Sequence, residues 1–185
     1  MTADAYTGRL LVAAPSLRDP NFDRAVVLVL DHSEDGSLGV VLNRPTPVGV
    51  RDILPPWADL AAPPDVVFQG GPVALDSALG VAVVPGQGEP LGWRQVSGRL
   101  GLVDLDAPPE VLAAELGGLR IFAGYAGWSE GQLEGELSEG AWYVVEAEPG
   151  DAFTTDPEEL WRSVLRRQPG DLAMVATLPD DPSMN

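Results

Sequence analysis

The chain has 185 residues and a formal net charge of −17, from 28 acidic and 11 basic side chains. That field opposes direct binding to nucleic acid, whose affinity rests on neutralising phosphates, and to anionic membrane surfaces. With 45% hydrophobic residues and no cysteine, the composition predicts one globular domain over residues 1–185, without disulfides or thiolate chemistry, in keeping with a cytoplasmic protein.

The N-terminus, Met1-Thr-Ala-Asp-Ala-Tyr-Thr-Gly-Arg9, carries an acid where a signal peptide needs positive charge. The longest purely apolar run, Ala25–Leu30, is far too short to cross a bilayer. Arg9–Ala14 reads as a first strand ended by Pro15, and Ala25–Leu30 as a strand buried on both faces. Asp35-Gly36 predicts a hairpin, with Leu38–Leu42 returning and Asn43-Arg44-Pro45 closing it. Asp31, Ser33, Asp35 and Gly36 partly mimic a calcium loop, but Leu42 stands where a bidentate glutamate is needed, so no metal is predicted.

Val48–Leu54 predicts a short helix, Trp57–Pro64 a Pro- and Ala-rich surface loop, and Asp65–Gln69 a strand. Gly70-Gly71-Pro72 reads as a tight turn. It has neither the Gly-Lys-Ser/Thr nor the Gly-x-Gly-x-x-Gly of a phosphate loop, so no nucleotide cofactor is predicted. Strands follow at Ala78–Val84 and Leu100–Leu105, with a loop over Pro85–Gly92 between them. A helix is expected over Pro108–Leu116, with Val111, Leu112 and Leu116 on one side.

The densest stretch is Gly124–Trp142, GYAGWSEGQLEGELSEGAW. The apolar Leu119–Ala123 before it predicts a buried strand. Ser129 and Gln132 predict a capping box opening a helix, with Leu133 and Leu137 inward and Gln132 and Glu136 sharing another face. Gly140 predicts its stop and Trp142–Val145 the next strand. Gly127-Trp-Ser129-Glu-Gly131 also matches the nucleophile elbow of hydrolases. The one histidine, His32, lies upstream and all eleven basic residues are arginine, so Ser129 has no evident base and reads as a cap. Near the C-terminus, Asp156, Pro157 and Glu159 predict a capped helix with Leu160, Trp161, Val164 and Leu165 as its apolar stripe. Arg162, Arg166 and Arg167 match its dipole. Leu172–Leu178 is ambiguous between helix and strand, and Pro179–Asn185 reads as extended. Strands outnumber helices without alternating with them. The expected class is α+β, with a mixed or antiparallel, partly barrel-like sheet flanked by a few helices.

The sequence resembles the YqgE/AlgH family. The resemblance is carried by LLVAAPSLRDPNFDRAVVLVLDHSEDGSLGVVLNRP (Leu10–Pro45), by the Gly70-Gly71-Pro72-Val73 turn, by the Gly124–Trp142 stretch and by the tryptophan-containing helix near the C-terminus. It implies a single-domain bacterial cytoplasmic protein with a bifurcated, partly barrel-like sheet. A transcriptional-regulator label attaches to the family in places, yet the chain carries no helix-turn-helix signal. After the turn, family members commonly run Asp-Arg-Gly-Phe-x-Leu-His. This chain has Asp76-Ser-Ala-Leu-Gly-Val-Ala82, without the arginine or the histidine.

Two functional readings follow, and a third, a transcriptional regulator acting on DNA, requires a clustered arginine face and salt-sensitive DNA binding. In the first, the protein is a non-enzymatic binding or regulatory module for a small ligand or a protein partner. Tyr125 and Trp128 offer flat surface, Gln132 and Glu136 offer hydrogen bonds, and Arg24, Asn43 and Arg44 offer an anion contact if their strands are neighbours. In the second, it is a hydrolase that uses carboxylates of Glu130, Glu134 and Glu136, with or without a metal. That reading requires at least two of these carboxylates, or Ser129 with a base, to converge in a pocket.

Overall fold

Strand Leu10–Ala13 (β1) and strand Val26–Ser33 (β2) carry no alternation because they are covered on both faces. Leu10, Val12, Val26 and Leu28 pack into one core with Trp161, Val164 and Leu165. Leu11, Ala13, Val27 and Val29 pack into another with Trp128, Leu133 and Trp142. The sheet is therefore a wall between two helical covers. The computed structural model describes residues 6–178, and the expectations for Met1–Ala5 and Pro179–Asn185 lie outside the described residues.

The remaining strands are Gly36–Val41 (β3), Pro45–Gly49 (β4), Val66–Gln69 (β5), Val73–Val83 (β6), Trp93–Ser97 (β7), Leu100–Val103 (β8), Gly118–Ser129 (β9) and Trp142–Val145 (β10). Helices are Val50–Ile53 (α1), Pro109–Leu112 (α2), Gln132–Ser138 (α3), Leu160–Arg166 (α4) and Leu172–Val175 (α5). The sheet runs β10-β1-β2-β3-β9-β6-β8-β7, with β4 and β5 branching off it. Its pairs are antiparallel except β5 on β9. β9 is the hinge of the architecture: one edge meets β6, while the other meets β5 at Phe122 and β3 from Ala126 onward. This bifurcation curls the sheet into a half-barrel. The fold is α+β, as expected.

At the branch, Gly71 lies against β9 so closely that a Cβ there would stand 2.2 Å from the Tyr125 carbonyl, so only glycine fits the Gly70-Gly71-Pro72 turn. A third core, on the β6–β8 side, gathers Trp57, Trp93, Leu112 and Ile121.

Several sequence expectations are corrected. Trp57–Pro64 is not a surface loop: Pro55–Leu60 forms a 3-10 turn, and Trp57 is 1% exposed and donates its indole N–H to the Leu105 carbonyl at 3.1 Å. Proline suppressed the strand and helix signals there, while the burial comes from tertiary packing. The helix expected over Pro108–Leu116 keeps only Pro109–Leu112, and Val111 is 49% exposed. Ser129 does not open a helix, because its pairing with Gly36 holds it at the end of β9. α3 begins three residues later behind Gly131. Half of the capping box survives: Gln132 Oε1 accepts the Ser129 backbone N–H at 3.0 Å. Asp156 makes no side-chain cap, and Pro157–Glu159 is a 3-10 turn leading into α4. The hairpin turn is Glu34-Asp35, with Gly36 already on β3 opposite Ser33. The β4 and β7 strands had no recognisable pattern in sequence. Gly140 does stop α3: its N–H and that of Ala141 return to the carbonyls of Leu137 and Glu136.

Candidate functional site

The central unit places its side chains by strand alternation. His32, Ser37 and Trp128 are successive cross-strand partners on β2, β3 and β9, and they face α3. Asp31, Leu38 and Gly127 form the neighbouring row on the other face, where Tyr125 also points. An open cleft of about 440 Å³ lies on that face, bordered by Asp31, Ser33, Leu38, Val73 and Tyr125.

On the α3 face, Glu136 is the acceptor that everything shares. Its Oε1 receives the indole N–H groups of Trp128 and Trp142, both at 2.9 Å, and its Oε2 receives the Gln132 amide at 2.9 Å. The two indoles meet edge-on with centroids 6.1 Å apart, and Phe22 stands against both. Trp128 and Trp142 are buried, and Glu136 holds both indoles, although Trp128 also borders the open cleft. Glu130 and Gln132 are exposed.

A second chain of contacts lies beside it. His32, 3% exposed, meets Ser37 Oγ through Nδ1 at 2.5 Å and Glu134 Oε2 through Nε2 at 3.1 Å, with the Tyr6 ring edge-on at 4.9 Å. Serine, histidine and acid stand in the order of a catalytic triad. Ser37 borders the open cleft, but its hydroxyl is turned to His32 and so toward Glu134 of α3. Glu130, Glu134 and Glu136 do not border that cleft. Among the described residues no group of three or more histidines and acids is placed to hold a metal ion. The chemistry of these groups is that of a pin between the β2–β3 hairpin and α3. Replacing Ser129 by alanine is expected to change stability by less than about 0.5 kcal/mol, as for other exposed side chains away from a cap. Chemical denaturation of the purified variant checks this.

The first block behaves differently. Arg24 precedes β2 in the left-handed region, at φ 54°, a conformation that an ordinary side chain keeps only when its surroundings impose it. Asn43 imposes it: its Oδ1 accepts the Val26 N–H at 3.0 Å and its Nδ2 donates to the Arg24 carbonyl at 2.9 Å. Arg44 donates to the Asp23 and Asn43 carbonyls. The segment is thereby held so that the Arg24 guanidinium lies 4.4 Å from the centroid of the Trp161 indole on α4. Arg162, one residue on, lies 5.8 Å from the same centroid. Trp161 is itself fixed, 2% exposed and donating to the Ala13 carbonyl at 2.9 Å.

Arg24, Asn43, Arg44 and Arg162 thus border one cleft of about 220 Å³, with Glu158 on its rim. Burial lowers the pKa of Arg44, opposed by the nearby Asp23 carboxylate. Arg44 also borders a second hollow of about 190 Å³ with Asn21, Gln69 and Gly71. The Asp19–Arg24 turn, the Asn43-Arg44 corner and the Gly70-Gly71 turn, which sequence reading treats as separate turns, meet around this one guanidinium.

The structure brings together Arg24, Asn43 and Arg44. It places Tyr125 on a different cleft and Trp128, Gln132 and Glu136 on the α3 side. Sequence reasoning missed Glu158, Trp161 and Arg162. The dipole explanation for Arg162 concealed them, since its Nη1 in fact donates to the Ala176 and Leu178 carbonyls at 2.9 Å each.

Comparison with known proteins gives a family model described as AlgH-like (DUF179), matching residues 10–173. A UPF0301 protein of Streptomyces avermitilis is 74% identical over 185 residues, covering 98% of this chain and 96% of its own. One of Mycobacterium tuberculosis is 50% identical over 181 residues, covering 96% and 90%. The crystal structure of protein DIP2367 from Corynebacterium diphtheriae superposes with a TM-score of 0.89 at 35% identity, covering 93% of this chain and 92% of that one. The solution structure of the AlgH protein from Pseudomonas aeruginosa gives a TM-score of 0.67 at 27% identity, covering 93% of each.

Proposed function

The chain belongs to the AlgH-like family, and from that premise we propose that it is a non-catalytic binding module whose ligand is a small anion held in the arginine cleft. One observation carries the reading. In a chain of net charge −17, three of the eleven basic residues border a single cleft of about 220 Å³. Arg44 donates to the neutral carbonyl oxygens of Asn43 and Asp23, which orient its guanidinium at the cleft. A carboxylate or phosphate is the group that a guanidinium fork recognises best. The volume lies below the roughly 300–1,000 Å³ of drug-sized sites, which favours a small metabolite.

No helix among the described residues is long and apolar enough to cross a membrane. The reading takes the protein as cytoplasmic, with anionic metabolites within reach. Any regulatory role then runs through occupancy of the cleft and a protein partner, because its guanidiniums line a hollow rather than a face that a duplex could meet.

The test is a thermal-shift titration at low salt with inorganic phosphate, succinate and glutarate. A ligand at about 100 times its Kd adds about 2.7 kcal/mol, and each kcal/mol moves the midpoint by roughly 2–4 °C at this size. Arg44→Gln and Arg24→Gln are expected to fold and to weaken binding by at least about tenfold, the loss of one charge-assisted contact. Flat titrations, or variants that bind as well as the parent, would remove the reading.

A further inference from the structure

Resting on the anion reading, we propose that the arginine cleft is closed from within: the carboxylates of Asp180 and Asp181 occupy it, and a free anion binds by displacing them. The observation is where the described chain leads. Arg162 borders the cleft. Its Nη1 donates to the Ala176 and Leu178 carbonyls at 2.9 Å each, and Ala176 is buried. The chain is thereby delivered, at Leu178, onto a guanidinium that forms part of the cleft wall. Pro179-Asp180-Asp181-Pro182 comes next in the sequence, beyond the described residues.

Chain length alone confines the two aspartates. At about 3.3–3.6 Å per residue, Asp180 can stand no further than about 7 Å from Leu178. A tether so short gives its carboxylate an effective concentration on the order of millimolar at the cleft. Charge is complementary, since two carboxylates arrive where Arg24, Arg44 and Arg162 border one hollow. Arg24 and Arg162 are not idle there: each engages a partner in addition to the contacts given above. Arg44 retains donors, because the Asn43 and Asp23 carbonyls take two of its five N–H groups. Pro179 and Pro182 bracket the aspartates, and their fixed φ reduces the backbone freedom lost on docking. The tethered pair sets a threshold: a free anion fills the cleft only at a concentration that outcompetes it.

The experiment is isothermal titration of succinate into the full chain and into the full-chain double variant Asp180→Asn, Asp181→Asn, with nitrogen–proton NMR spectra of both proteins before ligand is added. The asparagines keep the length of the chain and remove both charges. Succinate is expected to bind the variant at least about tenfold more tightly than the parent, the scale of one charge-assisted contact no longer competing. Without ligand, the Arg44 amide and the Trp161 indole N–H are expected to shift in the variant, because the carboxylates beside them are gone. Equal affinity of the two proteins for succinate, or unshifted resonances, overturns the tethered occupant while leaving the anion reading standing. Binding to the variant alone supports both. Binding to neither protein overturns both.

Discussion

Replacing Arg120 by alanine is expected to lower the unfolding free energy by about 3–5 kcal/mol, and the midpoint by roughly 10 °C. Arg120 lies on β9 and is 1% exposed. Its guanidinium rests 4.3 Å from the centroid of Phe68 and joins two distant loops. Nη2 donates to the Ala62 and Pro63 carbonyls at 3.3 and 2.7 Å, and Nη1 to those of Ala152 and Thr154 at 3.4 and 2.8 Å. Burial lowers its pKa from the ordinary guanidinium range to about 10, so holding the charge inside costs about 3 kcal/mol at neutral pH. This cost destabilises the fold: it is present in full below pH 10 and is relieved as pH rises further, where the unfolded chain still holds the proton. Alanine removes this cost but strands four carbonyls and opens a cavity, and the latter two losses are larger. Arg120→Met separates the contributions. It fills most of the volume and carries no donor, so a loss of about 1–3 kcal/mol, smaller than for alanine, is expected in urea denaturation. A methionine variant at least as stable as the parent would show that the loops do not need the guanidinium.

Arg120 also marks where sequence reading stops. Leu119–Ala123 reads as a buried strand, and it is one. An arginine within that apolar run was the available signal, but its partners lie in segments separated from it by long stretches of chain, and no local pattern names them. The strands β1, β2 and β9 were legible because burial on both faces leaves continuous apolar runs. β4 and β7 were not, because Pro45-Thr-Pro-Val-Gly49 and Trp93-Arg-Gln-Val-Ser97 carry neither alternation nor a run. The candidate site divided the same way. Arg24, Asn43 and Arg44 are near the two ends of one hairpin, so a sequence argument brings them together. Glu158 and Arg162 reach the same cleft only because α4 packs on that face of β1 and β2, a tertiary fact anchored by the Trp161 bond to the Ala13 carbonyl. The Gly124–Trp142 unit misled for the opposite reason. Its aromatics and acids, dense enough in sequence to suggest a ligand site, are consumed by one another.

Glu136 makes that last point measurable. Glu136→Ala is expected to cost about 2–4 kcal/mol, because it leaves the N–H groups of Trp128 and Trp142 without an acceptor in a buried setting, each an unsatisfied donor of about 1–3 kcal/mol. The effect is larger than for an ordinary half-buried acid because the two indoles belong to strands far apart in the sheet, β9 in its middle and β10 at its end. Glu136 on α3 holds both under one helix. Glu136→Gln keeps an oxygen at the same reach but gives up the charge, and a loss of about 1 kcal/mol is expected. Both variants should bind anions as the parent does, since the arginine cleft lies under α4 on the other face of the sheet. Denaturation and titration of the same samples therefore decide the role of this residue. A loss of stability with binding intact makes Glu136 scaffold. Intact stability with binding lost would place the ligand on the α3 side instead, and the arginine cleft would have to be given up.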